Sequence, residues 1–350
     1  MNEENVGRLR FPFESPPEAG SALEVADGLF WVRIPLPGPL NHVNVYVLDD
    51  GTGWTIVDTG IDSKRTRALW QTLLEGPFAG KPVRRVVATH HHSDHIGLAG
   101  WFMNEHGAEL WTTRTSWLMA RMLQLDVQER PSRETLDFWR GAGMAPGILA
   151  ERAASRPYNS ADISTPLPLG FRRIEEGEQI AAMGGRDWTV RVGHGHASEH
   201  ATLWSTDGEV VLGGDQFLPS ISPNLGVYAT EPEADVVGEW IASCAAFRKR
   251  ANETSLVLPG HKLPYTGLGT RLRQLEDNHH AALERLRQHL VEPRTAVECF
   301  PILFMRKIGD GEYGLALVEA MAHCIHLWKE GHVRRKRGPD GAWLWQSIDP

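Results

Sequence analysis

The 350-residue sequence predicts a mixed α/β fold carrying a helical insertion and a smaller helical appendage at its C-terminal end. Three observations predict it. Short apolar runs bounded by turn residues recur on both sides of a helical stretch at about residues 114–160. A dense histidine cluster follows directly on one of those runs. The last 80 or so residues change pattern to amphipathic helices followed by a hairpin. The expected division is a domain over residues 1–265, including the insertion, and a second over 266–350.

The elements follow in order. Residues 29–35, 43–48, 54–58 and 83–89 read as strands, and Asp49-Asp50-Gly51-Thr52-Gly53 makes a hairpin turn between the second and third. Residues 63–74 place Ala68, Leu69, Leu73 and Leu74 at helical spacing. Within the insertion, Trp117, Leu118, Arg121, Met122 and Leu125 share a side, and Pro131 and the 141–147 segment cut the stretch into about three helices. Its Trp and Met residues suit a small packed subcore or a lid. Strands resume at 188–192, 202–205 and 210–213. Residues 268–291 form a long amphipathic helix, Pro293 opens a shorter helical stretch, and 314–330 form a third. Residues 332–337 and 342–348 flank Gly338-Pro339-Asp340-Gly341, a strong turn, so the appendage reads as winged-helix-like.

Composition narrows the function. With 41% hydrophobic and 23% charged residues the chain is an ordinary globular protein. The net charge of −8 argues against broad, phosphate-driven nucleic-acid binding and favours a small-molecule substrate. Cys244, Cys299 and Cys324 are too few and too irregularly spaced for a disulfide framework or a thiolate metal site. They read as buried, reduced thiols of a cytoplasmic protein. Acidic residues and prolines in the first 20 positions do not make a signal peptide, and no apolar run reaches the roughly 18 residues of a membrane span. The run Arg334-Arg335-Lys336-Arg337 reads first as a solvated strand face. A homodimer is an assembly open to such a chain, although nothing in the sequence fixes the oligomeric state.

The chemistry lies in His90-His91-His92-Ser93-Asp94-His95, behind a strand and ahead of Ile96-Gly97-Leu98. Imidazole nitrogens and a carboxylate oxygen suit a borderline metal such as zinc. On a tight loop His90 and His92 converge on one ion, and Asp94 and His95 face a neighbouring position. Sixteen histidines make some clustering expected by chance, but not this order in this context. Two ions need more ligands. Gly195-His196, Gly213-Gly214-Asp215 and Pro259-Gly260-His261 each follow a strand, where glycine lets the chain turn and deliver a ligand.

Together with Asp58 in Ile56-Val57-Asp58-Thr59-Gly60, these pieces resemble the five motifs of the metallo-β-lactamase superfamily, in order, over about residues 28–265. The resemblance implies an αββα sandwich of two mixed sheets. It assigns His90, His92 and His196 to one ion and Asp94, His95 and His261 to the other, with Asp215 between them and Asp58 orienting the site from outside. In Gly193-His194-Gly195-His196, two Gly-His pairs compete. His196 is favoured because His200 follows four positions later, as the motif requires, and His200 then stands behind the ligands or faces substrate. His279, His280, His323 and His326 are expected to be surface or packing residues.

The function implied is that of a dinuclear metal-dependent hydrolase in which a hydroxide bridging two divalent ions, zinc first and iron or manganese as alternatives, attacks an acyl carbonyl while Asp94 holds the nucleophile and shuttles its proton. The segment from Gly214 to Asn224, with the appendage, resembles the glyoxalase II-like and lactamase-β-like hydrolases that carry a C-terminal winged helix, which suggests a small thioester or ester. Asn224 and Tyr228 are candidate substrate contacts. The rivals are a zinc-dependent endoribonuclease or phosphodiesterase and an iron-dependent persulfide dioxygenase.

Overall fold

The computed structural model describes residues 8–348. In chain order it contains β1 (Ala22–Ala26), β2 (Leu29–Pro35), β3 (His42–Asp49), β4 (Trp54–Val57), α1 (Lys64–Glu75), β5 (Val83–Val87), α2 (Ser93–Ile96), α3 (Ala99–His106), β6 (Glu109–Thr112) and α4 (Arg114–Leu125). Then come α5 (Arg133–Gly141), α6 (Pro146–Ala154), β7 (Arg172–Arg173), β8 (Gln179–Met183), β9 (Arg186–Gly193), β10 (His200–Ser205), β11 (Val210–Gly214), α7 (Val236–Arg248) and β12 (Leu256–Pro259). The chain closes with α8 (Leu268–His289), α9 (Phe300–Phe304), α10 (Tyr313–Lys329), β13 (Val333–Arg337) and β14 (Trp343–Ser347). No helix among the described residues is long and apolar enough to cross a membrane.

The chain forms two compact units. The first comprises residues up to Val127, Asn159–Pro223 and Arg248–Leu272; the second comprises Gln128–Tyr158, Asn224–Phe247 and the residues from Arg273 onward.

In the first unit, a seven-stranded sheet runs in the order β1-β2-β3-β4-β5-β6-β7 and a five-stranded sheet in the order β12-β11-β10-β9-β8. Both are mixed: β1 to β4 pair antiparallel and β4 to β7 parallel, while β11 is antiparallel to β10 and parallel to β12. The two-residue alternation of β3 sorts its side chains between two cores. Val43, Val45 and Val47 pack with Trp70 and Leu73 of α1 and Phe102 of α3 on the outer face of the first sheet. Tyr46 and Leu48 pack with Trp31, Trp188, Val190, Leu203 and Leu212 between the sheets. Each such side chain contributes roughly 1.5–3 kcal/mol by leaving water, so both layers hold this unit together. α1 begins where the Ser63 hydroxyl accepts the Thr66 N–H, and it buries Trp70, whose Nε1 donates to the Thr59 carbonyl at 2.9 Å.

The strands expected at 29–35, 43–48, 54–58 and 83–89 form β2 to β5, and those at 188–192, 202–205 and 210–213 form β9 to β11. The insertion holds α4, α5 and α6. β1, β6, β7, β8, α3 and α7 were not foreseen. The strands among them are at most five residues long, α3 has only eight residues, and α7 carries Val236, Ile241, Ala242 and Ala246 outside its buried stripe of Val237, Trp240, Cys244 and Phe247, which blurs the contrast between its faces.

The second unit contains α5, α6, α9, α10 and the hairpin of β13 and β14, in which Arg335 faces Trp345 and Arg337 faces Trp343. Three of the four residues of the basic run are used internally, Arg334 by donating to Gln346 Oε1 at 2.9 Å. The Arg335 guanidinium lies 3.8 Å from the Trp328 ring centroid and 4.4 Å from that of Trp343 and pairs with Glu233; Arg337 lies 3.9 Å over Trp343. His279 and His323 are core residues here, stacked with ring centroids 5.6 Å apart. Cys244, Cys299 and Cys324 are all buried thiols, none in a disulfide.

Candidate metal centre

Seven candidate ligands arrive from four strand ends of the first unit. β5 leads into the loop bearing His90, His92, Asp94 and His95; β9 precedes His196; β11 ends at Asp215; β12 ends at His261. The ligand atoms of His90, His92 and His196 lie within 4.8 Å of one another, as do those of Asp94, His95 and His261, and those of His90, His95 and Asp215. Asp215 reaches toward both triads. Its Oδ1 is 3.4 Å from His95 Nε2, and its Oδ2 is 3.5 Å from both His196 Nε2 and His261 Nε2. Asp94 Oδ2 is 3.3 Å from His261 Nε2 and 3.6 Å from His95 Nε2.

The remaining hydrogen bonds decide which nitrogen each imidazole offers. Asp58 sits at the end of β4 with φ 61°, and its Oδ2 accepts from His95 Nδ1 at 2.8 Å and from Thr89 Oγ1 at 2.9 Å; its Oδ1 accepts from the Thr89 N–H at 2.8 Å. Because Thr89 Oγ1 gives its proton to Asp58, it accepts from His90 Nδ1 at 3.0 Å. His261 Nδ1 donates to the His42 carbonyl at 2.8 Å. When neutral, His90, His95 and His261 therefore carry their proton on Nδ1 and leave Nε2, which faces the centre, to bind a cation. His90 Nε2 and His92 Nδ1 converge to 2.9 Å. His200 is fully buried, stacks on His90 at 4.6 Å, and accepts the Asp215 N–H on its Nε2 at 3.1 Å. It braces two ligands without joining them.

Close approach requires glycine at two points. Gly214 has φ 48°, and a Cβ there would lie 2.6 Å from His200 Cε1. A Cβ on Gly260 would lie 2.2 Å from Asp215 Oδ1.

Electrostatics divides the centre. Burial, reinforced by neighbouring imidazoles, holds His90 and His92 well below the ordinary histidine range, and burial together with His196 lowers His200 to about 3. Burial also acts to lower His95 and His261, but the carboxylates, Asp215 foremost, override it: His95 is raised well above the usual value and His261 to about 10. Burial opposes ionisation of Asp94 and Asp215, yet His95 and His261 keep both well below the usual carboxylate range. Asp94, His92 and His196 form the partly exposed side of an otherwise buried cluster.

The donor set suits divalent ions. His95 Nε2 and Asp215 Oδ1 are buried and lack any hydrogen-bond partner, an arrangement that costs several kcal/mol unless a cation faces it. Five imidazoles and two carboxylates, with no thiolate, match zinc or iron preferences.

His196 rather than His194 enters the cluster; His194 instead accepts from the Glu199 N–H at 3.4 Å. His91 is buried outside all three triads. Asn224 and Tyr228 belong to the second unit, where the Asn224 amide donates to the Leu315 carbonyl and to Glu319. Sequence reasoning passed over Thr89, His42 and Asn44. Only Asn44 left a signal, an amide inside the apolar strand Val43-Asn44-Val45-Tyr46-Val47. It accepts from Trp31 Nε1 and donates to the Pro259 and Lys262 carbonyls, fixing the turn that carries His261.

The model of the metallo-β-lactamase superfamily matches residues 38–287, and that of the metallo-β-lactamase-like C-terminal domain matches residues 283–348. The chain is 27% identical over 298 residues to the probable metallo-hydrolase YqjP of Bacillus subtilis, covering 83% of this chain and 89% of that protein. Among solved structures, a β-lactamase domain protein from Burkholderia ambifaria is 34% identical with a TM-score of 0.89, over 97% of this chain and 98% of that one. A metallo-β-lactamase family protein from Thermus thermophilus is 25% identical with a TM-score of 0.76, over 93% of this chain and 100% of the other. With its two mixed sheets and a histidine–aspartate cluster able to hold metal, the chain belongs to the metallo-β-lactamase superfamily.

Proposed function

We propose that the protein is a dinuclear metal-dependent hydrolase of small thioesters or esters, of the glyoxalase II-like kind. The observation that supports this most is the position of Asp215, whose two oxygens face ligand nitrogens of both triads at 3.4–3.5 Å. His90, His92 and His196 would hold one ion, Asp94, His95 and His261 the other, with Asp215 shared. Such a pair of ions supplies a water acidic enough to ionise near neutral pH and a Lewis acid for a carbonyl oxygen.

The residues of the chain supply orientation and proton handling. Asp58 fixes His95 through Nδ1 and fixes His90 through Thr89, so both imidazoles are locked before substrate arrives. Asp94 is the carboxylate at the exposed side, with Oδ2 between His95 and His261. It is placed to orient the attacking water by hydrogen bond and to pass its proton to the leaving group. Burial of His90, His95, Asp215 and His261 leaves the side formed by Asp94, His92 and His196 as the one open to bulk water.

The test is the metal content of the purified full chain, together with turnover of a panel of thioesters, esters, lactones, β-lactams, phosphodiesters, RNA and a persulfide. The proposal expects two ions per chain and hydrolysis of thioesters or esters. One iron with oxygen-dependent persulfide turnover, or cleavage of RNA alone, would replace it.

A further inference from the structure

Beside His261 lies a group of basic residues that the hydrolytic chemistry does not use. Arg33 of β2 pairs across the sheet with Asn44, and His42 sits two residues before Asn44, so all three side chains share the face of the first sheet that meets the second. Asn44 Nδ2 binds the Lys262 carbonyl at 2.8 Å, and the His42 carbonyl binds His261 at 2.8 Å, which brings the Lys262 turn to the same place. Arg33 and Lys262 are only partly buried.

Among the described residues no carboxylate or carbonyl pairs with the guanidinium of Arg33 or the ammonium of Lys262. Arg33 Nε is buried without any acceptor. His42 is 6% exposed, and its Nε2 is buried and unpartnered while its Nδ1 is engaged by Asn41. Lys262 is held there at φ 70°, a conformation that a lysine adopts only under constraint. Elsewhere in this protein the arginines near acids pair with them, as Arg67 does with Asp62 and Arg186 with Asp207. Two cations left without an acid, one with a buried unsatisfied N–H, are matched by an anion from outside.

We propose that Arg33 and Lys262, with His42 between them, form a subsite for a second, non-scissile carboxylate on the substrate, so that the preferred substrates are half-thioesters or half-esters of dicarboxylic acids. The planar fork of Arg33 fits a carboxylate in two-point contact, and Lys262 adds an unshared charge. This rests on the hydrolase reading for the location of the scissile carbonyl, but the residues make the subsite testable by binding alone.

The probes are succinate and its monoamide, succinamate, titrated calorimetrically into the metal-loaded full chain. Both carry one carboxylate for the metal centre and only succinate carries a second. Succinate should bind about tenfold more tightly. In Arg33→Gln and in Lys262→Met that preference should fall toward one while metal content stays native, and Arg33→Lys should restore part of it. Equal binding of the two probes by the native protein, no binding of succinate, or a preference that survives in both variants would overturn the subsite. Failure of the hydrolase reading shows separately, as a wrong metal count or no ester or thioester turnover.

Discussion

Gly260→Ala separates the metal centre from the fold that carries it. The added Cβ would lie 2.2 Å from Asp215 Oδ1, 2.8 Å from His95 Cε1 and 3.2 Å from the backbone carbon of Gly214. To reach even 3.0 Å, the Asp215 carboxylate would have to retreat by about 0.8 Å, since real Cβ contacts essentially never fall below that distance. Asp215 Oδ1 is 3.4 Å from His95 Nε2, so a retreat of that size breaks the convergence on which a shared ligand depends. The fold loses less, because the contacts under 3.0 Å fall on the ends of two side chains, Asp215 and His95, rather than on backbone, and Gly260 is not in the left-handed region: about 1–3 kcal/mol of overpacking. A misplacement near 1 Å at a reacting centre costs on the order of 100-fold in turnover. The variant should therefore melt cooperatively, only a few degrees below the native protein, yet bind metal substoichiometrically after dialysis against a weak chelator and lose about two decades of kcat/KM. Gly147→Ala is the control. Nothing lies within 4 Å of its Cβ position in the first turn of α6, so it should leave metal content unchanged and stabilise by up to about 1 kcal/mol. Native metal stoichiometry and native turnover in Gly260→Ala would refute the reasoning.

Asp58→Asn keeps a side chain that tolerates φ 61° but puts an amide N–H against either His95 Nδ1 or Thr89; metal affinity, measured by competition with a chromogenic chelator, should fall about 10- to 100-fold. Asp94→Asn should abolish most turnover with the best ester or thioester, and survival of native-like kcat would remove Asp94 from proton handling. Trp188→Ala, fully buried between the sheets, should cost about 3–5 kcal/mol in urea unfolding, whereas an effect under about 1 kcal/mol would mean that the inter-sheet layer is not the core. In the second unit, burial raises Glu319 to about 7 despite the hydrogen bond from Asn224. A folded pKa above the unfolded one means that the native state binds more protons over about pH 4.5–7, so this contribution to stability is full at acid pH and lost on rising through that window, by at most about 3 kcal/mol. Glu319→Gln should flatten that part of the stability–pH curve, and an unchanged slope would show that the carboxyl ionises freely.

The sequence made the ligands legible for the same reason that it left their supports obscure. His90 to His95, His196, Asp215 and His261 are polar residues at the ends of apolar strands, often beside glycine, and that contrast survives in one dimension. The His42 contribution to His261 is a backbone carbonyl, which any residue could provide, and Thr89 reads as the end of a strand until its hydroxyl is seen between Asp58 and His90. The pairing of β3 with β4 was legible as a hairpin, but the rest of the strand order only through the resemblance, since the parallel pairing of β4 with β5 and of β11 with β12 depends on contacts distant in sequence. The helical insertion was visible as three helices, but its partition between the two compact units, with α4 in one and α5 and α6 in the other, rests on tertiary contacts that no periodicity encodes.

The ligands come from both sheets, so the centre can be no more precise than the register between them. An apolar layer alone does not fix that register, because valines and leucines tolerate small slides at little cost. Polar contacts at the ligand-bearing end supply the missing specification. The Asn44 N–H donates to the Gly260 carbonyl at 2.7 Å while its side chain binds the Pro259 and Lys262 carbonyls, Tyr46 Oη donates to the Pro259 carbonyl at 2.9 Å, and the Ala201 N–H donates to the Thr89 carbonyl at 2.8 Å. Each joins a strand of one sheet to the segment of the other sheet that carries His261 or His90. A slide of either sheet would break several of them at once and leave buried amides unpaired, at about 1–3 kcal/mol apiece. The same bonds that deliver His261 and His90 to one centre therefore lock the sandwich in its register, which explains why a strand as apolar as β3 carries an asparagine in its middle.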